Sequence, residues 1–206
     1  MESSSTIASG RKRPPAKTRL LDAAMRLFGQ QGYEATSIQA IADSVGVRKQ
    51  SLLHHFPSKE ALHEAVIDAT LQHWRDEFPR LLAHASGADR FSAMVTAVVR
   101  FFRDDPNRAR LALREMLDRP DAIRAQLKEQ LSPYTRLLAD YIRMGQQSGI
   151  IRSDVQPEAY LVQALLKIIS TVATGDVAAA LVGQDREAHD DELVRGLRES
   201  LFITTE

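Results

Sequence analysis

Apolar residues recur along most of the chain with the three- and four-residue spacing of helices that bury one face. The first such stripe is followed by Gly32 as a left-handed stop, which predicts a helix that ends near Gln31. It consists of Leu20, Ala23, Ala24, Leu27 and Phe28. No run of β-branched and aromatic residues alternates with a period of two, and the segment 149–152 (Gly-Ile-Ile-Arg) is too short to build a sheet. The pattern therefore predicts an all-α protein.

Turn and capping residues predict three further helices in the first half of the chain. Residues 36–39 (Thr-Ser-Ile-Gln) have the form of a capping box, so a short second helix should begin there and end at Gly46. A third short helix is expected over about residues 48–56, and Ser58 can then cap a long fourth helix. Pro79 should kink or end the fourth helix, because proline lacks the N–H group of the helical hydrogen bond.

Proline and glycine divide the remaining residues into five more helical segments. These segments cover about residues 89–103, 106–118, 120–148, 157–182 and 190–203. A break is expected in the third segment at Ser132-Pro133, for the reason given for Pro79. We therefore predict about nine helices, arranged as a small N-terminal domain and a larger antiparallel helical bundle.

The predicted boundaries divide the chain into three parts. Residues 1–14 are rich in serine, contain Arg11-Lys12-Arg13 and are expected to form a disordered basic arm. Residues 15–57 are assigned to the small domain, and residues 58–206 to the helical bundle. The fourth helix begins at this second boundary and should contribute to both parts.

Composition narrows the class of protein. Of the 206 residues, 44% are hydrophobic and 26% are charged, which is typical of a soluble globular protein. The absence of cysteine excludes disulfides, thiolate zinc sites, iron–sulfur clusters and a cysteine nucleophile. No apolar run approaches the length of a membrane span, and the polar N-terminus does not resemble a signal peptide. We therefore expect a cytoplasmic protein that does not enter a membrane.

The net charge of zero conceals an uneven distribution of charge. Residues 1–60 contain nine Lys or Arg against five Asp or Glu, which leaves this part at +4 and the remainder at −4. Charge that is separated by region in this way indicates that the N-terminal third contacts a polyanion, while the rest has another role.

The two short helices around Gly46 have the arrangement of a helix-turn-helix. Glycine permits the backbone conformation that lets the second of these helices cross the first at a steep angle. A short basic helix of this kind can place its side chains against base edges and phosphates in the major groove. Its predicted exposed residues are Arg48, Lys49, Gln50, Ser51, His54 and His55. An ordinary solvent-exposed helix face has the same composition, so this pattern alone leaves both interpretations open.

Residues 36–62 carry a more specific signal. They read Thr-Ser-Ile-Gln-Ala-Ile-Ala-Asp-Ser-Val-Gly-Val-Arg-Lys-Gln-Ser-Leu-Leu-His-His-Phe-Pro-Ser-Lys-Glu-Ala-Leu, and they follow Leu21-Asp22-Ala23-Ala24, Phe28 and Gly32-Tyr33. This stretch resembles the DNA-binding domain of the tetracycline-repressor (TetR) family. The rest of the chain is similar to that family only in length and in helical pattern.

The resemblance implies contacts with double-stranded DNA at positions outside the third helix. Residues near Thr36 and Ser37 would meet one phosphate strand, and Lys59 would meet another. Elementary physics agrees, because the N-terminus of a helix presents unpaired N–H groups and partial positive charge to an anion. Residues 11–13 could follow the minor groove, although a basic tail that only increases solubility has the same composition.

Two residues depart from the pattern of the family. Leu53 stands where the family usually has a tyrosine that contacts a phosphate, and a leucine side chain cannot make that contact. Gln50 stands where a glycine or another small residue is common. Because an amide can pair with an adenine edge, Gln50 is a candidate for reading a base.

The segment 157–182 predicts a homodimer. It is apolar over more than half of its circumference, so it must be covered on two sides, and a second copy of the chain can supply one cover. The predicted contacts lie on this segment and on the last helix, in a four-helix bundle between subunits. They are Leu161, Leu165, Ile168, Val172, Leu193, Val194, Leu197 and Leu201. A fully buried central helix of a monomer would show the same pattern.

The resemblance also implies a pocket for a small-molecule effector inside the bundle. Bulky or polar-tipped residues at plausible inward positions are Trp74, Phe78, Met94, Phe101, Phe102, Met116, Tyr134, Tyr141, Met144 and Leu166. Arg114 and Glu115 are the nearest ionisable residues in sequence, so we expect a mainly hydrophobic or aromatic ligand. Its binding should lower the affinity for DNA through the fourth helix.

Catalysis and metal binding have little support in the sequence. The densest cluster of His and carboxylate residues, at positions 54, 55, 60 and 63, lacks the His-Glu-x-x-His arrangement, and no phosphate-binding glycine loop is present. We therefore expect no metal, no cofactor and no enzymatic activity. The prediction is a DNA-binding transcriptional regulator, a repressor that a small hydrophobic molecule releases from a pseudo-palindromic operator. The alternative is a helical interaction protein, or a carrier of hydrophobic ligands, without a role on DNA.

Overall fold

The computed structural model describes residues 14–84, 89–183 and 186–203. Within these residues the chain forms ten α-helices and no β-strand, which confirms the predicted all-α class. An isolated antiparallel bridge pairs Ile151 with Phe202. The helices are α1 (Ala16–Gln31), α2 (Ile38–Val45), α3 (Lys49–His55), α4 (Lys59–His84), α5 (Asp89–Asp104), α6 (Pro106–Asp118), α7 (Pro120–Gln147), α8 (Pro157–Ala173), α9 (Gly175–Val182) and α10 (Arg186–Leu201).

Most predicted helix ends agree with the structure. The differences lie at Pro79, Pro133 and Thr174. The predictions that Pro79 could end α4 and that Pro133 breaks α7 were wrong, because both helices continue past these residues. Both prolines are exposed, so water can bind the carbonyl group that each leaves without its helical partner. The segment predicted as one helix over 157–182 is instead divided at Thr174. This division accounts for ten helices where about nine were expected.

Two hydrophobic cores hold the helices together. The N-terminal core surrounds Phe28, Leu52 and Leu62, and it also includes Leu111 of α6 and Ile123 of α7. The second core joins α5, α6, α7, α8 and α10. The helices that follow the N-terminal domain in sequence therefore complete its core. Burial of apolar side chains across this junction makes α6 the main connection between the two parts.

The contact between α1 and α6 is unusually close. A Cβ atom added to Gly29 would lie 2.8 Å from the backbone oxygen of Asn107, a distance that real Cβ atoms do not reach. The Arg114 side chain then donates from Nε to the Gly29 oxygen (3.1 Å) and from Nη2 to the Gln30 oxygen (3.2 Å). The guanidinium thus satisfies carbonyl groups at the end of α1 that have no helical partner. Close packing and two hydrogen bonds therefore fix α6 against the end of α1.

Candidate DNA-binding and ligand-binding sites

The helices α2 and α3 and the turn between them have the geometry of a helix-turn-helix. The Ser37 hydroxyl caps α2 by accepting a hydrogen bond from the Ala40 N–H group (3.0 Å). Gly46 ends α2 with φ 74° and ψ 40°, the left-handed conformation that glycine adopts without strain. The chain then enters α3, whose first turn begins at Arg48.

The side chain of Thr36 has a different role from the predicted one. It is 1% exposed, and its hydroxyl donates to the Gly32 oxygen (2.7 Å) at the end of α1. Gln39, the other member of the predicted capping box, donates instead to Asp43 (2.7 Å). The capping box was therefore wrong, and the buried Thr36 hydroxyl cannot contact a phosphate. Thr and Ser are equally suitable as helix caps, so the sequence does not show which of the two caps α2. Because the carbonyl group of Gly32 needs a donor, the Thr36 hydroxyl bonds there and Ser37 is left as the cap.

The outer face of α3 carries the residues that were predicted to face DNA. Leu52 and Phe56 are buried in the N-terminal core, and Leu53 is half-buried. The exposed residues are Arg48, Lys49, Gln50, Ser51, His54 and His55. Their arrangement presents two cations, an amide and two imidazoles to the solvent. Their contacts with DNA stay a prediction.

Lys59 lies beside the turn that leads into α2. Its ammonium group is 4.2 Å from the centre of the Tyr33 ring, and it donates to the Glu34 oxygen (3.3 Å). The charge of Lys59 therefore lies close to the N-terminus of α2, where a phosphate can meet both. The basic residues Arg11, Lys12 and Arg13 lie outside the described residues.

A cavity of about 230 Å³ lies between α4, α5, α6, α7 and α8. Its wall is mostly apolar, and it includes six of the ten residues that were predicted to contact a ligand. These six are Trp74, Met94, Phe101, Phe102, Met116 and Tyr134. Within the described residues, the interior of the bundle therefore offers space for a small molecule.

Three of the residues predicted to contact a ligand do not line this cavity, and a fourth falls outside the described side chains. Tyr141 packs against the second core without lining the cavity, and Met144 is exposed. Leu166 is 42% exposed, because its neighbour Leu165 takes the inward position on α8. The side chain of Phe78 lies outside the described residues. A helix that is apolar on nearly all sides does not reveal from its sequence which side faces inward.

Two charged residues of α6 also line the cavity. Arg108 donates from Nη1 to the Phe101 oxygen (2.8 Å), and its guanidinium lies 4.8 Å from the centre of the Phe101 ring. Glu115 is 4% exposed and accepts a hydrogen bond from His63 (2.8 Å). Residues 108, 112 and 115 share one face of a helix at spacings of four and three, a signal that could have placed Arg108 in the wall. Arg114, on another face of α6, holds the end of α1 instead.

Most of the residues predicted to contact a second subunit are buried within the single chain. Ile168, Val172, Leu193, Leu197 and Leu201 are buried within the single chain, and Val194 packs against the same core. Leu161, Leu165 and Ile168 line the cavity. The amphipathic stripe of α8 is thus covered by the chain's own helices. The apolar residues that α8 exposes are Val162 (53%) and Leu166 (42%).

Comparison with known proteins identifies the family. Residues 20–66 match the model of bacterial regulatory proteins of the tetR family, and residues 84–174 match the tetracyclin repressor-like C-terminal domain. The chain belongs to the TetR family. This TetR-family protein is a DNA-binding transcriptional regulator, as the resemblance of residues 36–62 implied. Within the described residues, no helix is both long and apolar enough to cross a membrane.

Individual relatives of this TetR-family protein are regulators as well. The transcriptional regulator UidR of Escherichia coli is 31% identical over 143 residues, 68% of this chain and 71% of UidR. RutR of the same organism is 31% identical over 145 residues, 65% of each chain. FadR from Bacillus subtilis, solved in complex with stearoyl-CoA, shares the fold with a TM-score of 0.70 and 18% identity, covering 89% of this chain and 98% of FadR.

Proposed function

We propose that this regulator binds a pseudo-palindromic DNA site as a homodimer and is released when an apolar effector fills the cavity. The observation that carries the proposal is that α4 and α6 both line the cavity and both pack against α1. An effector that moves either helix therefore moves the DNA-binding domain. Residues 15–57 form that domain in this proposal, and residues 58–206 bind the effector and the second subunit.

Two kinds of contact with DNA follow from the exposed residues. The amide of Gln50 on α3 reaches base edges in the major groove, while the N-terminus of α2 at Ser37 and the Lys59 ammonium bind phosphates. Base contacts distinguish sequences, whereas phosphate contacts position the protein on any duplex. Leu53 is half-buried and contributes to neither.

Replacement of Gln50 and of Lys59 should have different consequences. Using a duplex selected by the full chain from a randomised pool, we expect Gln50→Ala to cost about 1 to 3 kcal/mol and to relax preference at one base pair. Lys59→Ala should weaken binding to selected and random duplexes alike, and should flatten the dependence of log K on log salt by about one per site. Titrations at several salt concentrations measure both effects. Equal behaviour of the two variants on both duplexes contradicts this division of roles.

The proposed dimer uses the outer surface of α8 and α10. Val162 and Leu166 lie one turn apart on α8 and are exposed. On α10, Gly196 has no side chain, and the atom closest to a Cβ added there is the Lys167 ammonium nitrogen, at 3.8 Å. A partner helix can therefore approach α10 closely, while Val162 and Leu166 supply apolar area. In a two-fold symmetric dimer formed by these helices, each subunit can place its α3 helix in one half of a palindromic DNA site.

The wall of the cavity favours a mainly apolar effector. Thr70 donates its hydroxyl proton to the Val66 oxygen (2.8 Å), and Thr135 donates to the Leu131 oxygen (3.1 Å). Tyr160 likewise donates to the Leu197 oxygen. Each of these three hydroxyl groups already donates its proton to a backbone oxygen, so the three groups add little to the binding of a polar ligand. The stearoyl-CoA in the complex of FadR from Bacillus subtilis is consistent with an apolar pocket in this fold.

Release by an effector is tested by titration with and without DNA. A thermal-shift screen of small molecules finds binders, because a ligand at 100 times its Kd stabilises a protein by about 2.7 kcal/mol. Each binder is then titrated into the full chain, alone and with the selected duplex. If the effector weakens DNA binding by some factor, DNA must weaken effector binding by the same factor. Equal dissociation constants for every binder in both titrations would overturn the proposed release.

A further inference from the structure

A chain of polar side chains, buried at its centre, joins the cavity to the DNA-binding domain. It consists of Glu115, His63, Arg119, Glu60 and Tyr33, and this set is called the polar chain below. Glu115 lies in the cavity wall, and Tyr33 lies in the turn before α2. A buried polar network is costly to leave incomplete, so a change at one end alters the free energy of the contacts along it.

The centre of the polar chain is His63, which is 2% exposed. Its Nδ1 atom lies 2.9 Å from Nη1 of Arg119, and its Nε2 atom lies 2.8 Å from Oε1 of Glu115. An arginine can only donate, so Nδ1 must accept and the ring proton must lie on Nε2. His63 is therefore a neutral imidazole that donates its one N–H group to Glu115. The contact with Arg119 and the contact with Glu115 both require the proton on Nε2, so a change in one contact affects the other.

Arg119 carries the connection to the first turn of α4. It donates from Nη2 to Oε1 of Glu60, and the Tyr33 hydroxyl donates to Oε2 of the same carboxylate (2.7 Å). The hydrogen bonds from Arg119 and Tyr33 hold the pKa of Glu60 below its ordinary value. Burial and the bond to Glu60 raise the pKa of Tyr33 to about 12. The carboxylate and the phenol thus stay in their charged and neutral forms at physiological pH, and the contact persists.

The far end of the polar chain lies beside the proposed phosphate contacts. The Tyr33 ring is 4.2 Å from the Lys59 ammonium group, which also binds the Glu34 oxygen. The turn that contains Tyr33 leads directly to Ser37, the cap of α2. A displacement of Tyr33 therefore moves both the N-terminus of α2 and Lys59.

The carboxylate of Glu115 retains the capacity to bind a ligand. A carboxylate offers about four acceptor positions, and among the described residues the hydrogen bond from His63 is made to Oε1 alone. The hydroxyl groups of Thr70, Thr135 and Tyr160 are bonded to backbone oxygens, as is Arg108. Glu115 is therefore the acidic group that an incoming hydrogen-bond donor meets in this wall.

We propose that Glu115 recognises an effector that is apolar along its length and carries an amine or another cationic donor at one end. This inference rests on the proposed function, because it concerns the same cavity. The ammonium group binds the unused acceptor positions and draws the carboxylate away from the neutral His63, since a charge-assisted hydrogen bond is stronger than a neutral one. His63 and Arg119 then lose their fixed arrangement, Tyr33 is released from Glu60, and the contacts with DNA weaken.

Three probes of equal length test the recognition of charge. The cavity volume corresponds to roughly eight volumes of a water molecule, which suits a chain of about eight carbon atoms. We would titrate n-octylamine, 1-octanol and octanoate into the full chain by calorimetry at neutral pH. We expect octylamine to bind about ten-fold or more tightly than the other two, and Glu115→Gln to reduce this preference to within about two-fold. Glu129→Gln, the same substitution at an exposed position of α7 outside the cavity, is the matched control and should keep the preference.

The effect on DNA is measured with the selected duplex. Saturating octylamine should raise the Kd for DNA about five-fold or more in the native protein and in Glu129→Gln. It should have little effect in Glu115→Gln, which lacks the charge that attracts the amine, and in Glu60→Leu, which removes the acceptor of both Arg119 and Tyr33 and so breaks the polar chain outside the cavity. Nuclear magnetic resonance of the native protein gives an independent measurement, because octylamine, but not octanol, should shift the Nε2 signal of His63. This measurement decides the question even if a variant does not fold.

Several results would overturn the proposal. They are equal binding of the three probes, binding of none of them, a preference for octylamine that survives Glu115→Gln, and a His63 signal that octylamine leaves unchanged. Each of these outcomes leaves DNA binding by the Gln50 and Lys59 contacts intact. Failure of the chain to bind any selected duplex would instead refute the proposed function, while the probe titrations would still report on recognition by Glu115.

Discussion

Phe28→Ala should lower the free energy of unfolding by about 3 to 5 kcal/mol. Phe28 is completely buried in the N-terminal core, and its ring contacts those of Tyr33 (centroids 5.8 Å apart) and His63 (5.0 Å apart). Truncation removes these contacts and leaves a cavity that the close contact of α1 with α6 keeps from collapsing. Urea denaturation, followed by circular dichroism at one protein concentration, measures the change.

An exposed residue provides the matched control for Phe28. Leu117→Ala removes a side chain that is 73% exposed on α6, and it should change the free energy of unfolding by no more than about 0.5 kcal/mol. Phe28→Leu keeps most of the apolar volume and should fall between the two. A loss below about 1 kcal/mol for Phe28→Ala would show that the core rearranges around the missing ring.

Leu166→Glu should convert the regulator to a monomer and lower its affinity for the selected duplex by about 10² to 10⁴-fold. In the proposed dimer, Leu166 lies between two copies of α8, where a carboxylate would be buried beside its symmetry mate. A monomer binds one half of the palindrome at a time and loses the gain that comes from joining two binding domains. Sedimentation velocity and DNA titration measure the two effects.

The same substitution at Leu117 distinguishes a lost interface from a general effect of charge. Leu117 is the more exposed of the two, and it lies on α6 rather than on α8. Leu117→Glu should therefore stay a dimer and bind the duplex like the native protein. If Leu166→Glu also stays dimeric at micromolar concentration, the outer surface of α8 is not the interface.

The structure adds a second route to the one that the sequence suggested between the cavity and the DNA-binding domain. The expectation was a route along α4, from Trp74 to its first turn. The structure adds α6, which lines the cavity through Glu115 and holds the end of α1 through Arg114. The polar chain shortens the path further, because His63 lies within the first two turns of α4. The polar chain thus joins the proposed effector site to the DNA-binding domain through a few packed side chains as well as along the length of a helix.

The sequence by itself determined the local structure and which residues α3 exposes on the surface proposed to face DNA. The helix ends at Gln31, Val45 and Asp118 follow from glycine, proline and the residues that cap the backbone, all of which act within one turn. The outward position of Gln50 follows from the apolar spacing of Leu52 and Phe56. These properties depend on neighbours along the chain, so periodicity and capping chemistry were sufficient to predict them.

The tertiary structure alone decided which partner each ambiguous residue has. Both sides of α8 are apolar, so only the packing of the other helices shows that Leu165 faces the cavity and Leu166 the solvent. By sequence, Thr36 and Ser37 are equally suitable caps of α2. The hydrogen bond from Thr36 to the Gly32 carbonyl oxygen shows that Thr36 is not the cap. Glu115 and His63 lie far apart in sequence, and nothing local to either indicates their contact. Contacts between residues far apart in sequence depend on how all the helices pack together. No single segment of the sequence therefore predicts them.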